Sequence, residues 1–279
     1  MEKINPKVLV LLVLIVFTHL IFNQNLQLHY DEAYYWVWSK NLQLSYYDHP
    51  PMIAYLIRLT TLFSNKEIFI RLAAVICSTT TIVMMYKTSK CLFNQKTADI
   101  TVVLALAWPL LEGTFFITTI DSPLLMFWSI TLYCLARGLI LGEKKFIYFS
   151  GIALGCALLS KYTAILILPG VLIFLLLTPS KRHLLWGKDV YFALLLAMLV
   201  FSPVIIWNYQ HDWVSFAFQF HHGVASDKQI NLAGLGDYIG SLLGAANPFI
   251  SIPLLVFIYI KRKHILHDQR YLFLLSIFI

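Results

Sequence analysis

The sequence predicts an all-α protein that crosses a membrane repeatedly, and three observations carry that expectation. Of its 279 residues 59% are hydrophobic and 13% charged, with a mean hydropathy of +0.74, whereas a soluble domain carries about 25% charged residues. The apolar residues gather into runs approaching the ~20 that a bilayer-spanning helix needs. The basic residues lie in short clusters between those runs. This composition excludes a soluble enzyme and a disordered chain. The net charge of +7, scattered in this way, marks topology and not nucleic-acid binding. Cys77, Cys91, Cys134 and Cys156 form no CxxC pair, so neither a zinc site nor a disulfide framework is indicated.

The first run, residues 8–22, follows Lys3 and Lys7 and precedes NQNLQLHYDE, which has no small-residue cleavage site, so it reads as an uncleaved span. Further runs cover residues 68–86, 98–111, 119–141, 146–160, 164–178, 190–207 and 238–260, eight in all. The terminal YLFLLSIFI would open a ninth, so the expectation is one transmembrane domain over 1–279 whose last span is incomplete. Alternating sides from a cytoplasmic N-terminus leaves Lys40, Arg58, Lys66, Arg71, Lys161 and Lys228 outside and the other 15 of 21 basic residues inside. That bias supports this orientation. Nine of the 14 acids fall outside, and a different explanation is needed for them because acids contribute little to orientation.

Two outer loops are long, residues 23–67 and 208–237. In the first, Tyr34, Tyr35, Trp36, Trp38 and Tyr46 suit the headgroup layer, where an aromatic body meets a polar tip. Short helices lying on the outer surface are expected there. Residues 52–63 are too few to cross and read as an interfacial segment.

Three outer acids share a local pattern. Asp31 opens a helix-like stretch, Asp48 precedes His49-Pro50-Pro51, and Asp121 precedes Ser122-Pro123 at the head of a span. Each alone reads as an N-cap, with proline fitting the first helical turn. Together, at the border of hydrocarbon and water, they read as a functional cluster, because an acid there is costly unless it faces protein or a wet cavity. Helix N-termini aimed at one cavity would also attract an anion such as phosphate, and Arg58, Lys161 and His49 would add positive charge. For Lys161, snorkelling and phosphate binding stand level, while for Arg58 contact with anionic headgroups is favoured. The second loop supplies His211, Asp212, His221 and His222. Adjacent His221 and His222 point apart on a helix and make a weak metal signal, so the loop's polar residues, His211 and His221 among them, are read as substrate-loop residues. A divalent cation joining Asp48 or Glu32 to a histidine is the lesser alternative. No GxSxG, HExxH, P-loop or GxGxxG stands in a suitable context. With no nucleotide cradle, an activated substrate on the outer side would arrive on a lipid. The competing reading is a transporter or lipid flippase, which would set polar residues near the midplane in two related halves. A non-catalytic scaffold would give no reason to cluster acids on one side.

The run HYDEAYYWVWSKNLQLSYYDHPPMIAYLIR resembles the first external loop of the bacterial family 39-type glycosyltransferases, relatives of protein O-mannosyltransferases and of lipid A aminoarabinose transferases. TTIDSPLLMFW, LLSKYTAILILPG and WNYQHDWVSFAFQFHHG are similar to further blocks of that group in the same order. The resemblance implies a GT-C helical bundle in the bacterial inner membrane, with periplasmic interfacial helices and a periplasmic active site. It implies a polyprenyl-phosphate-linked sugar donor and an envelope acceptor: lipid A, another glycan or protein. By position it makes Asp31 the catalytic base or its closest partner, with Glu32 in support. Asp48 and Asp121 would line the cavity, and Lys161 would approach the donor phosphate. The aminoarabinose branch often has Lys where this chain has His49, and a basic residue near Tyr34. Because a prenyl phosphate leaves readily, one base suffices, with cationic groups stabilising the departing charge and inversion at the anomeric carbon.

Overall fold

The computed structural model describes residues 5–23, 26–223, 236, 240 and 248–278, and all regular structure among them is helical. In chain order the helices are α1 (Pro6–Asn23), α2 (Tyr30–Lys40), α3 (Met52–Thr60), α4 (Glu67–Leu92), α5 (Gln95–Leu106), α6 (Pro109–Phe116), α7 (Asp121–Leu135), α8 (Lys144–Leu158), α9 (Ile167–Leu177), α10 (Lys188–Gln210), α11 (Val214–Gly223), α12 (Pro248–His267) and α13 (Gln269–Phe278). A π-helical turn, Ala136–Ile140, extends α7, and a 3₁₀ turn, Tyr162–Leu166, leads into α9.

Among the described residues four helical stretches are long and apolar enough to cross a membrane: Pro6–Asn23, Glu67–Leu92, Asp121–Ile140 and Lys188–Gln210. The run expected at residues 98–111 as one straight span is instead the pair α5 and α6, bent by 66°. Pro109 causes the break. It lacks an N–H and crowds the residue before it out of the helical region, and Trp108 is accordingly extended at φ −93°, ψ 112°. The runs at 146–160 and 164–178 are shorter as helices than a full crossing. The 15 residues of α8 rise only about 22 Å at 1.5 Å each, against a hydrocarbon core of about 30 Å. Of the run at 238–260, residues 248–260 are seen at the start of α12, and most of its first ten residues lie outside the described residues, as do Lys3, Asp227, Lys228 and Asp237. The terminal run forms α13, which packs on α9 through Phe174 and Phe273, ring centroids 5.4 Å apart.

The bundle core lies where α7, α8 and α10 meet, around Leu132, Leu135, Ala157, Leu158, Ala197 and Val204. Small residues set that spacing. A Cβ on Gly151 would fall 2.1 Å from the Ala193 carbonyl oxygen, and one on Gly155 2.8 Å from that of Ala197. Glycines in helix interfaces let backbones approach closely where lipid supplies no hydrophobic drive.

The outer segment differs from expectation in its aromatic residues. Tyr35, Trp38 and Tyr46 do not sit in a headgroup layer. They are buried with Ile53, Ala54, Ile57, Ile70 and Ile120 in a second core beneath α2 and α3. Trp38 and Tyr46 stack at 4.0 Å, and the Tyr46 hydroxyl donates to the carbonyls of Trp38 and Asn41. Rings with a polar tip serve inside protein as well as at an interface when that tip finds an acceptor. Tyr30, Tyr34 and Tyr47 are the exposed ones. The Met52 amide donates to the Leu159 carbonyl at 3.0 Å, which ties the start of α3 to the turn that carries Lys161.

Candidate functional site

The first turn of α2 carries two neighbouring acids with opposite fates. His29 is the N-cap, its Nδ1 accepting from the Asp31 amide at 3.4 Å, while Glu32 Oε2 accepts from the His29 amide at 2.9 Å, a reciprocal cap. Adjacent residues on a helix point about 100° apart. Asp31 therefore turns outward into a cavity, and Glu32 turns into the protein with no exposure at all.

Glu32 makes four hydrogen bonds. Its oxygens accept from Arg71 Nε at 3.1 Å and Nη2 at 2.8 Å, from the Thr118 amide at 3.0 Å, and from the His29 amide. Arg71, also buried, spends its remaining donors on the carbonyls of Asn23, Leu26 and Gln27. Glu32, expected among the catalytic residues in support of Asp31, thus lies inside the protein and not in the cavity. With its lone pairs occupied and no path to the cavity, it acts through position, joining the end of α1, the start of α2, α4 and the segment before α7. It is likewise closed to a metal ion. Arg71, counted in the sequence only as an outer charge, is the residue that reading missed. Its signal was a lone arginine within an apolar span, a functional hypothesis by default.

A cavity of about 650 Å³ opens beside α2. Its polar end is formed by His29, Asp31, Thr119 and Asp121. Its long wall is apolar, running along α7 through Leu125 and Trp128 to Leu132, with α4 and α6 opposite. From Asp121 to Leu132 the helix rises roughly 16 Å, so the cavity is a long slot with acids at one end. Asp121 heads α7, and its Oδ1 accepts from Lys161 Nζ at 2.8 Å. Asp31 has a weaker partner, with His29 Nδ1 3.5 Å from its Oδ2.

Asp48 and His49 flank the same place. The Tyr34 hydroxyl donates to the Asp48 carboxylate at 3.3 Å, and the Gln219 amide from α11 donates to the Asp48 backbone carbonyl. With Tyr47 against Phe218 at 4.9 Å, these contacts dock α11 on the segment between α2 and α3. Burial holds the His49 imidazole below its ordinary pKa; Asp48, Asp121 and Asp31 oppose that shift, and Lys161 reinforces it. Burial raises the Tyr35 phenol above its ordinary value, and the fields of Asp31, Asp48 and Asp121 add to the rise. Asp31, Asp48, Asp121, His49 and Lys161 thus share one electrostatic neighbourhood. Tyr35, four residues after Asp31 and hence on the same helix face, is a second residue the sequence reading passed over.

Three expected residues stand apart. Arg58 lies on the exposed side of α3. His211 caps α10, stacks on Trp207 at 4.0 Å and bonds its carbonyl through Nδ1 at 2.8 Å. His221 is exposed on α11. Among the described residues no group of three or more His, Cys, Asp or Glu is arranged to hold a metal ion.

Residues 48–207 match the family described as dolichyl-phosphate-mannose-protein mannosyltransferase. The lipid A galacturonosyltransferase RgtD of Rhizobium johnstonii is 32% identical over 236 residues, covering 82% of this chain and 48% of that protein. The crystal structure of ArnT from Cupriavidus metallidurans in the apo state superposes with a TM-score of 0.71 at 16% identity, over 95% of this chain and 51% of that one. The same protein bound to undecaprenyl phosphate gives 0.76 at 15% identity, over 95% and 52%. The fold is therefore that of a helical, multi-pass membrane bundle, and the chain spans about half the length of the relatives it matches.

Proposed function

This chain belongs to the dolichyl-phosphate-mannose-protein mannosyltransferase family, and from that premise we propose that it is the membrane domain of a glycosyltransferase that moves a sugar from a polyprenyl phosphate to lipid A. In this reading residues 1–279 form one transmembrane domain with a cytoplasmic N-terminus, and its site opens to the periplasm. The observation that carries the reading is the slot of about 650 Å³, apolar along its length and acidic at its mouth. A prenyl chain matches the wall through Leu125, Trp128 and Leu132, which leaves the phosphate and sugar among Asp31, Asp121 and Lys161. Names of relatives support the two substrates: RgtD is a lipid A galacturonosyltransferase, and ArnT has been crystallised with undecaprenyl phosphate.

Of the two cavity carboxylates, Asp121 is already matched by an ammonium at 2.8 Å, and among the described residues Asp31 is paired only with the imidazole at 3.5 Å. Asp31 is therefore assigned as the base that takes the proton of the acceptor hydroxyl. That hydroxyl forms its bond to the anomeric carbon as the bond to the phosphate oxygen breaks, with inversion. Lys161 stabilises the charge left on the phosphate, and Asp121 holds Lys161 in place. Asp48 and His49 face the acceptor side, beneath the docked α11.

The test is Asp31→Asn in full-length protein supplied with undecaprenyl-phosphate galacturonic acid, or undecaprenyl-phosphate aminoarabinose, and lipid A. Loss of transfer with unchanged expression and melting supports the reading. Retained transfer removes Asp31 from the chemistry, and wild-type protein inactive with every sugar donor overturns the function.

A further inference from the structure

A second cluster of ionisable groups lies away from the carboxylate mouth, between α1 and α6. His19, 4% exposed in an apolar helix, places Nε2 3.0 Å from Glu112 Oε2. Its ring stacks on Phe115 at 4.6 Å and meets Phe116 edge-on at 4.3 Å. One helical turn further along α1, fully buried Asn23 donates through Nδ2 to the Phe115 carbonyl at 2.9 Å. Three buried polar atoms here, His19 Nδ1, Glu112 Oε1 and Asn23 Oδ1, have no hydrogen-bond partner among the described residues.

For stability alone this is a poor arrangement. A histidine–carboxylate contact that leaves buried polar atoms unsatisfied is commonly matched or bettered by well-packed apolar side chains of similar volume, and apolar residues abound in both helices. What the pair supplies is a directional contact on the α1 side of α6, whose other side is held to α4 by the Ser78 hydroxyl, 2.7 Å from that of Thr114 and 3.0 Å from the Thr114 carbonyl oxygen. Short α6, set at 66° to α5, has little helix of its own to hold it. Leu110, Leu111, Gly113 and Thr114 line the slot, and Glu112, Phe115 and Phe116 turn to α1. The slot's wall is therefore held from behind by His19 and Asn23, and from α4 by Ser78.

Resting on the functional reading above, we infer that His19 and Glu112 are a clasp that positions α6 as the wall admitting the prenyl chain of the donor. They touch neither the sugar nor the phosphate, so they are positioning residues. Releasing the clasp lets α6 shift against the slot, and the loss falls on recognition of the lipid tail, not on chemistry at the mouth.

The experiment compares two donors carrying the same sugar, one on a long polyprenyl phosphate and one on a two-isoprene phosphate whose short tail makes little use of the α6 wall. Full-length wild type is set beside His19→Leu/Glu112→Leu, which replaces the pair by apolar packing, and beside the swapped His19→Glu/Glu112→His, which restores it. The double leucine variant is expected to raise KM for the long donor at least about fivefold, the scale of a coupled contact. Its kcat, and its KM for the short donor, stay near wild type, and the swapped variant recovers most of the loss. Equal loss with both donors, no change with either, or a double leucine variant that fails to fold overturns the inference, since the pair is then idle or merely structural. A wild type that transfers from neither donor is a different failure, that of the functional reading itself.

Discussion

Replacing Arg71 by methionine strips Glu32 of two of its four hydrogen bonds and leaves a carboxylate of zero exposure without its counter-charge. Hydrogen bonds to charged groups contribute about 1.5–3 kcal/mol each, so two of them give roughly 3–6 kcal/mol. That range overlaps the ~3–5 kcal/mol expected when one partner of a buried pair is removed. The carbonyls of Asn23, Leu26 and Gln27 lose their donor as well. At about 2–4 °C per kcal/mol for a chain of this size, the melting temperature of the purified protein, followed by tryptophan fluorescence, falls by roughly 6–20 °C. Arg71→Met/Glu32→Met removes the stranded charge and recovers most of that fall. Sugar transfer does not recover with it, because Glu32 also fixes the His29 and Thr118 amides, and through them the helix starts that carry Asp31 and Asp121. A single variant melting within about 2 °C of wild type, or a double variant regaining transfer together with stability, would refute the positioning role.

Gly113 lines the slot, and a Cβ there meets nothing within 4 Å. Gly113→Ala should raise thermal stability by about 0.5–1 kcal/mol through helix propensity, while Gly113→Leu fills part of the slot and raises KM for a polyprenyl donor; an unchanged KM would separate the slot from donor binding. Lys161→Met breaks the 2.8 Å contact to Asp121, but both groups are partly exposed. Stability in a denaturant titration is then expected to change by no more than about 1 kcal/mol, while kcat drops on the order of 10²–10³-fold if Lys161 meets the departing phosphate. His49 has a depressed pKa in the folded protein, so its contribution to stability is present above its ordinary value and is lost as pH falls through the lower folded one. Melting measured against pH should accordingly show a steeper acid-side decline for wild type than for His49→Phe, and parallel curves would contradict that assignment.

Much of the site was legible because its groups sit at helix starts, which leave local marks. Asp31 before an aromatic helix, Asp121 before Ser122-Pro123 and Lys161 between two apolar runs are visible as acids and a cation at the border of hydrocarbon, and the structure brings Asp31, Asp48, Asp121, His49 and Lys161 into one neighbourhood. Arg58, His211 and His221 lie exposed on or at the end of helices, where a polar side chain bears no mark in sequence of what it faces.

The membrane class and the helical architecture are properties of the chain itself, since composition and the 3.6-residue period act locally and leave their trace in sequence. The division of labour between Asp31 and Glu32 is decided only by tertiary structure. Two acids side by side in sequence are interchangeable until a guanidinium 39 positions away takes one of them and a cavity receives the other. The same holds for the clasp between α1 and α6, whose partners are 93 positions apart. Which side of a helix meets protein, lipid or a wet cavity is set by neighbours distant along the chain, and it is that facing which turns a charged residue into a base, a buried strut or a lipid contact.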